Sequence, residues 1–293
     1  MLTRVLFILV SALAVALIAI AVTQSVTTLR DIPIQSQDLP DLDTSYLPPE
    51  VVSVAESEGE ITLDGRSEPN ASVVILDGET RIRSILADEQ GEWTVTFPVE
   101  PTQQLEVSAQ SYLEDIVLDG DQTVLRVPAP GAEDGISQRA LILLTAPGGP
   151  SRVIQTPFGA PARVGDLALS MIEYDSSGGT ILAGSAETGG VVRLMSGESG
   201  LGVGPVASDG RWFMILVEPD PRKRRDYTLV LEKEDETMDS LSVSFLPMEG
   251  QDIERSPELW QVKRSLSGGG HQVTAVFASP VLETDGESDA DGS

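Results

Sequence analysis

Apolar residues recur at every second position in two stretches of the chain. The alternating residues are Trp93, Val95 and Phe97 in the first stretch and Trp212, Met214 and Leu216 in the second. A period of two places these side chains on one face of a β-strand, whereas an amphipathic helix repeats its apolar residues every three or four positions. The pattern therefore predicts strands whose alternating apolar face enters a core.

The two stretches belong to a longer internal repeat. The matching pairs are Gly65 and Gly184, Val73 and Val192, Gly91 and Gly210, and Trp93 and Trp212, each 119 positions apart (for example 184 − 65). Gly91 and Gly210 precede the Trp strand, where a tight turn requires a positive φ that glycine adopts without strain. We predict two copies of one β-sandwich, with Trp93 and Trp212 as structural core residues.

The repeated pattern, I-x-L-x-G…A-x-V-x-I…AD-x-x-G-x-W in the first copy, resembles the bacterial Ig-like domains that occur in tandem in cell-surface and envelope proteins. The resemblance implies a mainly β fold with two Ig-like β-sandwiches, at residues 48–127 and 166–247. We expect a linker at 128–165. Within it, two strands over 140–144 and 152–155 could form a hairpin around the Pro-Gly-Gly-Pro stretch.

The N-terminal segment carries an unbroken run of apolar and small residues from 5 to 22. Eighteen residues in a helix span about 27 Å, close to the hydrocarbon thickness of a bilayer. We expect a transmembrane helix or signal anchor at 1–25 and a Pro/Asp-rich spacer at 26–47. The alternative is a cleaved signal peptide. Either interpretation takes the rest of the chain out of the cytoplasm.

The residues after Pro247 have a different pattern. Leu259, Val262 and Leu266 have the spacing of a helix, and a second short helix is expected around Phe277. The segment 248–280 resembles a partial LysM module, a small βααβ domain that binds peptidoglycan glycan chains. The resemblance implies candidate glycan-binding residues, which are Leu259, Trp260, Gly268, Gly270 and Phe277. The tail at 281–293 is acidic and is expected to be disordered.

Composition restricts the chemistry. The net charge of −27 disfavours nucleic acid as a partner, and the chain has no cysteine and one histidine. No spacing of nucleophile, base and carboxylate is recognisable, so we predict a non-enzymatic protein without cofactor or metal. The candidate anion-binding residues are the basic cluster Arg222, Lys223, Arg224 and Arg225.

Together these features predict a single-pass inner-membrane protein with its bulk in the periplasm. It would act as a spacer and binding module of the cell envelope, held in the inner membrane through residues 5–22. Peptidoglycan and other envelope proteins are the expected partners. The alternative is a secreted or surface adhesion protein that binds a protein or glycan through its Ig-like domains.

Overall fold

Antiparallel β-sheets make up the regular structure. The computed structural model describes residues 46–129, 139–146, 149–218, 220, 222–234, 236–266 and 270–278. Those residues contain twenty β-strands in four sheets and no helix, so the prediction of a mainly β fold is confirmed. No helix within these ranges is long and apolar enough to cross a membrane. The transmembrane helix predicted over 5–22 lies outside the described residues.

The first sandwich is formed by sheets A and B. Sheet A contains, in spatial order, β1 (Glu50–Ser57), β2 (Glu60–Arg66) and β5 (Glu92–Pro98). Sheet B contains β4 (Thr80–Leu86), β3 (Ser72–Asp77), β6 (Leu105–Leu113), β7 (Ile116–Val127), β8 (Leu141–Thr145) and β9 (Arg152–Gln155). Alternating apolar residues of the two sheets, including Leu63, Ile75 and Trp93, form one buried cluster, called the first core.

The second sandwich is formed by sheets C and D. Sheet C contains, in spatial order, β15 (Arg211–Val217), β12 (Gly179–Ser185), β11 (Leu167–Asp175), β20 (His271–Phe277), β19 (Leu259–Ser265) and β18 (Ile253–Arg255), with β10 (Ala162–Val164) also paired to β11. Sheet D contains β14 (Ser199–Pro205), β13 (Val191–Ser196), β16 (Arg225–Lys233) and β17 (Glu236–Phe245). Trp212, Leu194 and Leu229 belong to the second core between these sheets.

The glycines of the repeat have identical roles in the two copies. Gly91 and Gly210 both have a φ of 78°, which confirms the predicted left-handed turn before each Trp strand. Gly65 is the register partner of Trp93 on the adjacent strand, and Gly184 is the partner of Trp212. The missing side chain at each of these positions makes room for the indole ring.

Replacing Gly184 with alanine is expected to destabilise the second sandwich. A Cβ at this position would lie 2.6 Å from the Trp212 ring and 2.0 Å from the Ala168 carbonyl oxygen. Overpacking of this kind costs about 1–3 kcal/mol of unfolding free energy, which urea denaturation measures. The control is Gly149→Ala, because a Cβ at Gly149 meets no atom within 4 Å. Equal stability of the two variants would contradict this account of the glycine.

The two sandwiches share a third buried cluster, called the joint core, which lies between sheets B and C. It includes Leu141 and Leu143 of β8 from sheet B, and Trp260, Val262 and Val276 from sheet C. Residues from Leu47 onward belong to one compact unit. The order of layers is therefore A, B, C and D, with an apolar core between each neighbouring pair.

The prediction of helices in the C-terminal segment was wrong. Leu259–Ser265 and His271–Phe277 are the antiparallel strands β19 and β20, which extend sheet C. Val273 packs into the second core, whereas Val276 packs into the joint core. Because β20 is buried on both faces, its apolar residues do not alternate with polar ones, and their spacing imitates a helix.

Candidate binding surface

The structure divides the predicted anion-binding cluster. Arg222, Lys223 and Arg224 are exposed, but Arg225 is only 4% exposed. Two of the exposed arginines already have carboxylates nearby, because Arg224 Nε lies 3.4 Å from Asp226 Oδ1 and Arg222 Nε lies 4.0 Å from a glutamate. An anion at this loop would therefore compete with the chain's own carboxylates.

Arg225 is a cation of the second core. Its guanidinium carbon lies 4.9 Å from the centroid of the Tyr174 ring and 5.8 Å from that of Phe245. Its Nη1 donates a hydrogen bond of 2.9 Å to Thr180 Oγ1. The ring faces and the hydroxyl hold the charge inside the sandwich, so the predicted ligand-binding role does not fit Arg225.

The residues proposed from the LysM resemblance are mostly buried. Trp260 is fully buried and Phe277 is 5% exposed, while Leu259 is partly buried against the second core. Gly270 is exposed in the turn before β20, and Gly268 lies outside the described residues. The buried rings of Trp260 and Phe277 offer no surface on which a sugar could stack.

Trp260 is surrounded by protein on both sides of its ring. The Phe158 ring meets it edge-on, with centroids 6.3 Å apart, and the Arg255 guanidinium lies 5.1 Å from its centroid. Trp93 and Trp212 are likewise buried in the first and second cores. Each of the three tryptophans of the chain therefore belongs to a different core.

A buried carboxylate links the hairpin formed by β8 and β9 to sheet C. Glu173 on β11 is fully buried and accepts hydrogen bonds from the Ser151 amide at 3.1 Å and the Ser151 hydroxyl at 2.6 Å. It also accepts from Thr274 Oγ1 at 2.9 Å and from Arg264 Nη2 at 3.5 Å. These donors satisfy the carboxylate within the protein, which identifies the cluster as a structural tie.

Two buried phenols are also engaged in packing. Burial raises the pKa of Tyr174 to about 12, and its hydroxyl donates to Gln261 Oε1 at 2.6 Å. Burial, together with the hydrogen bond that its hydroxyl donates to Glu218, raises the pKa of Tyr227. Both phenols are therefore neutral near pH 7 and cannot serve as bases there. No group of three or more metal-ligating side chains occurs among the residues that the structure describes.

A groove of about 620 Å³ lies between the hairpin and the outer face of sheet C. Ser151 and Val153 line one wall, while Ala183 and Phe213 line the other. Arg211, at one end, forms an ion pair of 2.6 Å with Asp209. The groove marks the place where sheet B stops covering the outer face of sheet C.

Beyond the groove, the outer face of sheet C is exposed and apolar. Phe213, Ile215 and Val217 on β15 are 53%, 69% and 78% exposed. A second cleft of about 500 Å³ joins Phe213 and Ile215 to Val203 on β14, which is also exposed. We call these four residues the apolar edge. Sequence reasoning counted the β15 residues as part of one apolar run and missed that alternate members face outward.

Comparison with known proteins gives no assignment. No family model matches the chain, and no curated protein matches it. Among solved structures, the two tandem C2 domains of extended synaptotagmin 2 are similar over 80% of this chain and 90% of theirs. That similarity has 12% sequence identity and a TM-score of 0.19, which is too low to support an argument about fold or function.

Proposed function

We propose that this protein is a non-enzymatic, membrane-anchored protein of the bacterial cell envelope, with its bulk in the periplasm as a spacer and binding module. The observation that carries the proposal is the succession of three apolar cores through four sheets. Sandwiches joined through a shared core keep a fixed distance and orientation, as a spacer requires. The apolar run at 5–22 supplies the anchor, and the repeat supplies two Ig-like domains.

The use of the buried polar groups supports a non-enzymatic role. Arg126 is buried and forms an ion pair of 2.7 Å with Glu56, while Glu173 is tied to Ser151. Each of these groups is engaged with other protein groups rather than directed into a cleft. A general base or nucleophile needs access to substrate, and these groups lack it.

Peptidoglycan remains a candidate ligand of the proposed module. Its contact surface has to be sought among exposed residues, because Trp260 and Phe277 are buried. Purified sacculi mixed with the detergent-solubilised full chain test this part of the proposal. Retention of the protein would support wall contact, and the absence of retention would restrict the module to protein partners.

Fractionation of cells that express the full chain tests the anchor. We expect the protein in the membrane pellet after washing with high salt and alkali, because an 18-residue apolar helix holds a protein in the bilayer. We also expect protease to digest its bulk in spheroplasts but not in intact cells. A soluble cytoplasmic protein would contradict the proposal, and a variant lacking residues 1–25 provides the control.

The second candidate function is a secreted or surface adhesion protein. The exposed Phe213, Ile215 and Val217 favour it, because a contiguous apolar patch usually marks an interaction surface. This function requires cleavage of the N-terminal segment. An intact mass that begins near Val22 would support adhesion, whereas the mass of the full chain would support the anchor.

A further inference from the structure

The apolar edge is specific to the second copy of the repeat. At the 119-residue offset, Phe213 and Ile215 correspond to Thr94 and Thr96 in the first copy (213 − 94). Thr94 donates a hydrogen bond to a neighbouring aspartate, and the Thr96 hydroxyl lies 3.0 Å from that of Thr62. The same position in the same fold therefore has a polar outer face in one copy and an apolar outer face in the other.

The strand that borders the edge differs in the same direction. In the first copy, β4 carries Arg81 and Arg83, both exposed, whereas β14 has Gly200 and Gly202 at these positions. Charged side chains on an edge strand prevent association with another chain. The first copy keeps this protection, and the second copy lacks it.

The outer face of sheet C shows what an apolar cover does for it. Phe213 is the register partner of Ala183, and Ala183 is the partner of Met171 on β11. Met171 and Ala183 are buried in the joint core beneath sheet B, while Phe213 is left outside. One continuous apolar face is thus covered over part of its width by the first sandwich and uncovered over the rest.

We infer that a second copy of this chain covers the apolar edge, with β15 of each copy packed face to face across a two-fold axis near Ile215. A two-fold contact joins a patch to itself, so the partner needs an exposed apolar strand face, which β15 provides. Phe213 and Val217 flank Ile215 at equal distances along the strand, which suits such a self-complementary contact.

Charge favours this occupant and this location. Each copy carries a net charge of −27, so two copies approach only where carboxylates are absent. The strands that form the edge, Ser199–Pro205 and Arg211–Val217, contain no carboxylate and a single cation, Arg211. Screening by salt weakens the repulsion between the remaining surfaces, so association should strengthen as salt rises.

A single-cysteine crosslinking experiment tests the inference directly, since the natural chain has no cysteine. In the detergent-solubilised full chain, Ile215→Cys is expected to give a covalent dimer under mild oxidation, because residues at the axis meet their own counterparts. Thr96→Cys, the equivalent position of the first copy, is the matched control and is expected to remain monomeric. Both variants share the same micelle, so chance encounters within it affect them equally.

Light scattering of the cysteine-free protein gives an independent readout. We expect the full chain to be dimeric, and Phe213→Thr with Ile215→Thr to raise the dissociation constant about a hundredfold or more, since four apolar side chains leave the interface. Leu86→Thr with Val117→Thr alters exposed apolar residues of the first sandwich and should leave the dimer intact. The Thr substitutions copy residues that the first copy already accommodates, so the fold should be retained.

A monomer at all salt concentrations, or equal crosslinking at positions 96 and 215, would overturn the inference. The membrane location of the chain does not affect either readout. Failure of self-association is therefore distinguishable from failure of the proposed envelope function.

Discussion

Replacing Trp260 with alanine is expected to lower the free energy of unfolding by about 3–5 kcal/mol, the usual cost of removing a large buried aromatic side chain. Trp260 is fully buried and packs against Phe158 and Arg255 in the joint core. The cavity would lie between sheets B and C, where neither sandwich can collapse into it without moving the other. Urea denaturation followed by circular dichroism measures the loss.

The control for Trp260→Ala is Leu86→Ala, which truncates a large apolar side chain that is 66% exposed and should change stability by less than about 0.5 kcal/mol. The measurement also separates two roles of Trp260. A glycan-stacking residue would lose sugar binding on replacement while the protein kept its stability. Unchanged stability of Trp260→Ala would contradict its place in the joint core.

The strands of the sandwiches could be predicted because each copy retained a clear two-residue alternation. In β5, Trp93, Val95 and Phe97 are buried and the residues between them are exposed. The same alternation was recognisable in β15 from Trp212, although its outward residues are apolar. The repeat supplied the second observation, because a spacing kept at four positions pointed to one fold used twice.

The C-terminal strands could not be predicted in the same way. Trp260 and Val262 face the joint core, while the adjacent Leu259 packs against the second core. A strand covered on both faces has no polar side to mark its period. The joint core itself depends on contacts between β8 and β19, strands that are far apart in the sequence. No local pattern records such a contact.

The candidate sites were limited by the same lack of long-range information. A basic run such as 222–225 shows charge but does not show that Arg225 enters the core beneath Tyr174. The donors to Glu173 are 22, 91 and 101 residues away along the chain, so no motif brings them together. The apolar edge became visible only when the structure showed that sheet B leaves it uncovered.

The second large effect is expected at Glu173. Removing its carboxylate with Glu173→Ala leaves the Ser151 amide and the Thr274 hydroxyl without their acceptor and leaves Arg264 without its carboxylate partner. Breaking a buried ion pair at one partner typically costs about 3–5 kcal/mol. Because the donors come from both sandwiches, we expect the loss to appear first at the joint between them.

The three tryptophans allow that order to be measured, since each lies in a different core. In variants that keep one Trp and carry Phe at the other two positions, Glu173→Ala should shift the Trp260 fluorescence transition to lower urea than the transitions of Trp93 and Trp212. Glu232→Ala is the control, because its ion pair with Arg193 is partly exposed and should be worth less than about 1 kcal/mol. If all three transitions move together, the two sandwiches unfold as one unit and Glu173 stabilises the whole body rather than the joint.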